Sequence, residues 1–167
     1  SRDKYLLPLD RANTRTINRS GGTILHSSRV SPNQMRKLPE FLKGETFPHD
    51  HGVWDLSSHV LKNIERLRLD NLIVIGGDGT LSFAHWLEKL GMKVIAIPKT
   101  MDNDVQGTEY SIGFSTAITR ATAAIQRQRT TVASHERVGI FRVFGRDSGF
   151  TALYTAYVTS LRCAIPE

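Results

Sequence analysis

Two short apolar runs constrain the fold of this chain more than any other feature of its sequence. The runs "LIVIGG" at 72–77 and "KVIAIP" at 93–98 have the length of strands and carry almost no polar side chains. The segment between them, 80–90, has the length of a helix and is followed by Gly91, a common helix terminator. Strand, helix and buried strand predict a βαβ unit, and therefore a parallel sheet covered on both faces.

The same alternation continues toward the end of the sequence. The pattern predicts a helix at 115–129, a strand at 138–145, a helix around 148–160 and a short last strand at 163–166. We therefore predict an α/β protein of three layers with a mostly parallel, Rossmann-like sheet.

The first third of the sequence has weaker patterns. Residues 1–20 have little periodicity, and residues 26–52, rich in Ser, Pro, Lys and His, are predicted to be a loop or an insertion. Asp55 is expected to begin a helix, because an apolar stripe with helical spacing follows it. The stripe consists of Leu56, Val60, Ile64 and Leu67. We expect one partial domain over 1–167, and we expect the sequence to be a piece of a longer protein.

The composition narrows the class of protein. A length of 167 residues with 40% hydrophobic content is typical of a soluble domain, and no apolar run reaches the roughly 20 residues of a membrane helix. The single cysteine, Cys163, excludes a disulfide framework, so we expect a cytoplasmic protein. The net charge of +6 comes from scattered basic residues without a nucleic-acid-binding motif. Small phosphorylated molecules are therefore the expected partners, rather than nucleic acid or membranes.

The first predicted strand runs into the glycine-rich segment "GGDGT" at 76–80. Backbone N–H groups of Gly77, Gly79 and Thr80, at the start of the following helix, are suited to bind a phosphate group. Asp78 is suited to bind a Mg²⁺ ion that bridges phosphate oxygens. The alternative is an ordinary turn between strand and helix, because Gly and Asp are common turn residues.

The second predicted strand ends in "PKTMDND" at 98–104, which carries Asp102 and Asp104 two positions apart. Carboxylates this close raise each other's pKa unless a cation neutralises them, and Lys99 and a metal ion would supply that cation. In phosphoryl transfer, one carboxylate would bind the metal and the other would accept the proton of the attacking hydroxyl. The alternative is a turn without chemistry.

These two segments are expected to meet, because parallel strands present their carboxyl ends, where ligands bind, at the same edge of a sheet. Arg137 and Arg146 lie on either side of the predicted strand 138–145, and guanidinium groups match phosphate oxygens well. Since they would leave opposite ends of one strand, they are not expected to serve one pocket of one chain. One is either a solvated arginine or part of a neighbouring subunit's site.

Four segments, "GGDGT", "PKTMDNDV", "SIGFSTA" and "ERVGIFRVFGRDSG", occur here in an order and spacing that resembles the 6-phosphofructokinase family. The resemblance runs from about Gly21 to Glu167. It implies Mg²⁺-dependent transfer of a phosphoryl group to the 1-hydroxyl of fructose 6-phosphate, a step of glycolysis. It also implies that Asp102 is the base and that Asp78 and Asp104 are the carboxylates associated with Mg²⁺.

The resemblance implies further roles for single residues. Arg146 would stabilise charge on the phosphoryl group, and Thr100 would contact the sugar or the transferring phosphate. Phe144 and Gly145 occupy positions that line the sugar phosphate. Arg29 would bridge the donor phosphates. Arg137 would enter a neighbouring subunit to hold the 6-phosphate, which implies a homo-oligomer.

The family uses either ATP or pyrophosphate as donor, and the residues here favour ATP while leaving pyrophosphate open. Gly79 stands where pyrophosphate-using relatives commonly carry a second aspartate. Lys99, also a catalytic candidate, is typical of pyrophosphate enzymes, and Phe83 stands where ATP enzymes usually have a glycine. An NAD or lipid kinase of the same fold, and a non-catalytic regulatory subunit, are further alternatives. Because the family's first phosphate-binding loop and second domain have no counterpart in this sequence, we expect the isolated chain to be inactive.

Overall fold

The computed structural model describes residues 6–28 and 30–166 of the chain. These residues form two compact units, one within 1–30 and the other within 31–167. The small unit and the large unit are described separately below. The expectation of one partial domain over the whole chain stays a prediction.

The small unit contains one short helix, α1 at Arg11–Thr14, and a 3₁₀ turn at Ile17–Arg19. A capping box closes the start of α1. The Asp10 carboxylate accepts a hydrogen bond from the Asn13 N–H at 2.8 Å, and the Asn13 side chain accepts one from the Asp10 N–H at 3.0 Å. These bonds satisfy N–H groups that have no partner within the helix.

The large unit begins with two 3₁₀ turns, Pro32–Gln34 and Glu40–Leu42, followed by a hairpin. Its strands, β1 at His49–Asp50 and β2 at Val53–Trp54, are antiparallel. The predicted loop over 26–52 is therefore partly ordered. Its side chains contribute to a small hydrophobic core of Leu42, Phe47 and Leu56.

Helix α2 follows at Ser57–Arg66. The N-cap position is Leu56, one residue after the predicted Asp55. The Asp55 carboxylate nevertheless caps the helix start, because it accepts a hydrogen bond from the Ser57 N–H at 2.8 Å. Leu56 is buried, and the other three residues of the predicted stripe, Val60, Ile64 and Leu67, are half-buried.

The centre of the large unit is a parallel sheet built as the apolar runs predict. Strand β3 is Leu72–Gly76, helix α3 is Asp78–Lys89, and strand β4 is Val94–Thr100. A third strand, β5 at Ile112–Gly113, extends the sheet in the order β3-β4-β5. All pairs in this sheet are parallel. The prediction of an α/β, Rossmann-like fold is confirmed.

Helix α3 packs on β3 and β4. Along β3, Leu72 and Val74 are half-buried, whereas Ile73 and Ile75 are mostly exposed. Since alternate residues of a strand point to opposite faces, one face of this strand is covered and the other is open to solvent. The predicted covering of both faces of the sheet is therefore wrong for β3. Ile95, which pairs with Ile73, is exposed on the same open face.

Two longer helices complete the unit, α4 at Phe114–Ser134 and α5 at Phe150–Thr159, and they pack against each other. Both were predicted, although α4 continues five residues beyond the predicted end at 129. Helix α4 also contacts β5. In the described part of the chain, no helix combines the length and apolar character that crossing a membrane requires.

The predicted strands at 138–145 and 163–166 were wrong, because the structure has no strand in either segment. An apolar run becomes a strand only when a neighbouring strand accepts its backbone hydrogen bonds. Here β5, at the edge of the sheet, is two residues long and so has few backbone groups to which another strand could hydrogen-bond. Val138 and Ile140 are accordingly 91% and 92% exposed.

The turn from β3 into α3 requires a glycine at residue 76, because a Cβ there would lie 2.6 Å from the Thr80 Cβ. We expect Gly76→Ala to lower the free energy of unfolding by about 1–3 kcal/mol, as overpacking usually does. Gly79→Ala is the matched control, because a Cβ at residue 79 meets no atom within 4 Å. Urea unfolding of both variants checks this, and equal losses would contradict it.

Candidate active site

The glycine-rich turn after β3 lies directly against the end of β4. The register pairs Gly76 with Pro98, and a Cβ on Gly77 would lie 3.4 Å from the Thr100 Cβ. Helix α3 begins at Asp78, one residue further on. The start of this helix and the loop after β4 are therefore neighbours, as predicted for the carboxyl ends of parallel strands.

A cavity of about 370 Å³ opens beside the start of α3. Asp78 and Gly79 line it, together with Phe83 and Trp86 from later turns of the same helix. Asn33 contributes from the 3₁₀ turn before the hairpin. The first N–H groups of a helix have no partner within the helix, so this edge of the cavity is suited to an anion.

The loop after β4 is held by side chains within it. The Thr100 hydroxyl accepts a hydrogen bond from the Asp102 N–H at 3.1 Å. Asn103 adopts the left-handed conformation, with φ 52°, which Asn tolerates better than most residues. Its side chain accepts a bond from the Ser111 N–H at 2.8 Å and donates one to the Glu109 carbonyl at 3.0 Å. Both carboxylates that flank Asn103 therefore stand on a fixed backbone.

The pKa of the Asp102 carboxyl is raised above its ordinary value. Burial raises the pKa most, because it disfavours the charged form, and the charges of Asp104 and Asp147 raise it further. The Arg146 guanidinium acts in the opposite direction. One carboxylate oxygen, Oδ1, is buried without a hydrogen-bond partner among the described residues. A carboxylate in this state is a stronger proton acceptor than a solvated one.

Arg146 is the cation that acts on Asp102, and its Nε also donates a hydrogen bond to the Asp147 carboxylate at 2.9 Å. Gly145 precedes it in a tight turn, where a Cβ would collide with the Ser148 carbonyl oxygen. Phe144 lines a second cavity, of about 510 Å³, to which Met101 also contributes. The segment 144–147 therefore lies beside the loop after β4.

The structure thus brings part of the predicted site together. Asp102 lies close to Asp104 and Arg146. Thr100 lies between the loop of the two aspartates and the glycine-rich turn, because it accepts the bond from the Asp102 N–H and lies against Gly77. Asp78, Gly79 and Thr80 lie at the start of α3.

Two predicted site residues among those that the structure describes are not drawn into this group. Lys99 is exposed on β4, and its expected action on the two carboxylates stays a prediction. Arg137 is exposed just beyond α4, where its N–H donates to the Val132 carbonyl at 3.0 Å. Arg29 lies outside the described residues.

The donor atoms available here fit Mg²⁺, which prefers oxygen ligands and often uses one or two carboxylates together with substrate phosphates. The Oδ1 of Asp102 is buried and has no hydrogen-bond partner among the described residues, so the loop leaves one carboxylate oxygen that a cation or a donor could satisfy. In the residues that the structure describes, no three His, Cys, Asp or Glu side chains are grouped to hold a metal ion. The assignment of Asp78 and Asp104 to Mg²⁺ stays a prediction.

Sequence reasoning missed Asp147, Ser148 and Thr151, all in or just after the quoted segment "GRDSG". Asp147 raises the pKa of Asp102, and the other two donate hydrogen bonds to the loop that carries it. Asp147 could have been recognised from the sequence, because it is an acidic residue next to Arg146. The two hydroxyls gave no such signal, because Ser and Thr are common at helix starts.

A sequence model of the family described as Phosphofructokinase matches residues 2–167. The chain belongs to the phosphofructokinase family. The resemblance seen in the four sequence segments is therefore confirmed.

Individual members of the phosphofructokinase family give a consistent match. The ATP-dependent 6-phosphofructokinase 3 of Streptomyces coelicolor is 39% identical over 88% of this chain and 38% of its own length. The pyrophosphate–fructose 6-phosphate 1-phosphotransferase of Thermoproteus tenax is 37% identical over 89% of this chain and 39% of its own length. The chain thus spans about two fifths of the length of these relatives.

A solved structure of the phosphofructokinase from Saccharomyces cerevisiae superposes with a TM-score of 0.53 and 28% sequence identity. The match covers 58% of this chain and 16% of the yeast chain.

The raised pKa of Asp102 predicts how its removal affects stability. Folding favours the protonated form of the Asp102 carboxyl. The stabilisation that this carboxyl contributes is therefore complete below its ordinary pKa of 3.8, and it is lost as the pH rises through the raised pKa. We therefore expect Asp102→Asn to increase the free energy of unfolding at neutral pH, in buffer free of divalent ions. We expect this gain to shrink as the solution is acidified.

Urea unfolding at several pH values between mildly acid and neutral measures the effect. Asp70→Asn is the matched control, because it removes an exposed carboxylate outside the site, and surface changes usually stay within about 0.5 kcal/mol. A loss of stability in Asp102→Asn at neutral pH would contradict the electrostatic account.

Proposed function

We propose that the protein to which this chain belongs is a Mg²⁺-dependent phosphotransferase that phosphorylates the 1-hydroxyl of fructose 6-phosphate, with ATP as the donor. The observation that carries the proposal is the Asp102 carboxyl, which is held in a fixed loop beside Arg146. Its pKa is raised, and one of its oxygens is buried without a hydrogen-bond partner among the described residues. Membership of the phosphofructokinase family supports it.

In the proposed reaction, Asp102 accepts the proton of the sugar's 1-hydroxyl as that oxygen attacks the terminal phosphorus. The bond from this phosphorus to the leaving phosphate oxygen breaks in the same transfer. Arg146 neutralises charge that develops on the phosphoryl group, and Thr100 contacts the sugar or the transferring phosphate. Phosphoryl transfer depends mainly on such positioning and charge neutralisation.

The start of α3 would bind the donor. The backbone N–H groups of Gly77, Asp78 and Gly79 lie at the positive end of the helix dipole, which favours phosphate. The Thr80 N–H, also expected to bind phosphate, instead donates to the Gly77 carbonyl at 3.0 Å. Asp78 and Asp104 are the residues proposed to hold Mg²⁺, which supplies charge neutralisation to the donor phosphates. We also propose a homo-oligomer in which the exposed Arg137 binds the 6-phosphate in a neighbouring subunit.

The acceptor and the base are tested together in the full-length protein. With ATP and Mg²⁺, we expect fructose 6-phosphate to be phosphorylated and NAD and diacylglycerol not to be. We expect Asp102→Asn to lower kcat by at least about 10²-fold, the usual size of general-base assistance. A coupled assay of phosphorylated product measures both. Asp70→Asn, at the exposed position used above, is the control for expression and folding.

Pyrophosphate is the second candidate donor, because a relative that carries this name matches almost as well as the ATP-dependent one. Two features of the cavity beside α3 bear on the choice. A Cβ at Gly79 would meet no atom within 4 Å, so open space adjoins Asp78. That space favours the larger nucleotide donor, whereas the Phe83 ring on the cavity wall takes up part of it.

We expect the full-length protein to have a higher kcat/KM with ATP than with pyrophosphate. We expect Gly79→Asp to raise the KM for ATP by about 10-fold or more, because a second carboxylate would repel the nucleotide's phosphates across this space. Gly79→Ala fills the space without charge and serves as the control. Initial rates at fixed fructose 6-phosphate measure these values, and a preference for pyrophosphate would overturn the choice of ATP.

A further inference from the structure

Two buried hydroxyls at the start of α5 connect this helix to the loop that carries Asp102. The Ser148 hydroxyl donates a hydrogen bond to the Asp102 carbonyl oxygen at 2.6 Å. The Thr151 hydroxyl donates one to the Met101 carbonyl oxygen, also at 2.6 Å. Ser148 is 7% exposed and Thr151 is 1% exposed, so water does not compete for either bond.

The two bonds are accepted by consecutive carbonyl oxygens of one loop. Their donors, Ser148 and Thr151, follow the acceptor residues by 46 and 50 positions in the sequence. The Ser148 oxygen also lies 3.4 Å from the Phe150 N–H, which donates to it and orients the hydroxyl. Arg146 lies two residues before Ser148. The bonds therefore fix the segment that carries Arg146 against the loop that carries Asp102.

We propose that Ser148 and Thr151 are positioning residues that hold the Asp102 carboxyl in register with the Arg146 guanidinium. The proposal rests on the proposed function, in which Asp102 accepts the proton of the attacking hydroxyl and Arg146 neutralises charge on the transferring phosphoryl group. Neither hydroxyl touches the reacting atoms. Each acts through the backbone of the Asp102 loop.

The chain offers a matched control on the same helix. Thr155 lies four residues after Thr151, is equally buried at 1% exposed, and its hydroxyl has no hydrogen-bond partner among the described residues. Thr151→Val and Thr155→Val thus make the same chemical change at equal burial. They differ in whether a bond to the Asp102 loop is lost.

In the full-length protein, we expect Ser148→Ala and Thr151→Val each to lower kcat by about 10-fold, because small misplacements of a catalytic group reduce rates steeply. The KM for the donor is expected to change less than about 2-fold, since donor binding uses the start of α3. Thr151→Ser keeps the hydroxyl and should restore most of the rate. Thr155→Val should leave kcat unchanged.

A double-mutant cycle separates positioning from general damage to the fold. In an Asp102→Asn background, Thr151→Val is expected to cause little further loss of kcat, because the group that it positions is already absent. An equal loss in both backgrounds would overturn the proposal, and so would a similar loss in Thr155→Val. If Thr151→Val does not fold, as thermal unfolding would show, Ser148→Ala and its own cycle decide the question.

The outcome for this proposal is distinct from that for the proposed function. If Asp102→Asn keeps the wild-type rate, the role of Asp102 fails. If Asp102→Asn loses its rate while Ser148→Ala and Thr151→Val keep theirs, only the positioning role fails.

Discussion

The parallel pairing of β3 with β4 is the constraint on which the rest of the site depends. Its register sets Gly76 opposite Pro98, so the glycine-rich turn and the acidic loop leave the sheet side by side. A slip of one residue would turn every side chain of a strand to the other face. A close contact with Thr80 allows only glycine at residue 76, in the turn that leads into α3. Local backbone geometry thus determines where the start of α3 meets the acidic loop.

The loop after β4 shows how a fold can hold a carboxylate in an unfavourable state. Asp102 is partly buried and lies close to two other carboxylates, and one of its oxygens has no hydrogen-bond partner within the part of the chain that the structure describes. Such a group is tolerated only where surrounding bonds fix the backbone around it. Thr100 and Asn103 supply those bonds from within the loop, and helix α5 supplies two more from outside. The cost of this arrangement to stability is consistent with a role in binding or catalysis.

Much of the fold follows from patterns that are local in sequence. The β3-α3-β4 unit, the cap at Asp55, and both long helices were predicted, because hydrophobic period and capping act over a few residues. The prediction of a strand at 138–145 was wrong because strand formation also depends on contacts between residues that are distant in sequence. Its sequence favours extended chain, but a strand also needs a partner, and pairing depends on what lies beside it in space. Val138 and Ile140 stay exposed instead.

The sequence by itself determined the family, the parallel unit and the two acidic segments, because residue types and spacing carry these directly. Only the tertiary structure decided which charges act on Asp102 and what holds its loop. Arg146 and Asp147 lie more than forty positions from Asp102 in the sequence, as do the hydroxyls of Ser148 and Thr151. Hydrogen bonds and electrostatic effects act over a few ångströms of space, so they exist only after the start of α5 has folded against the loop that follows β4.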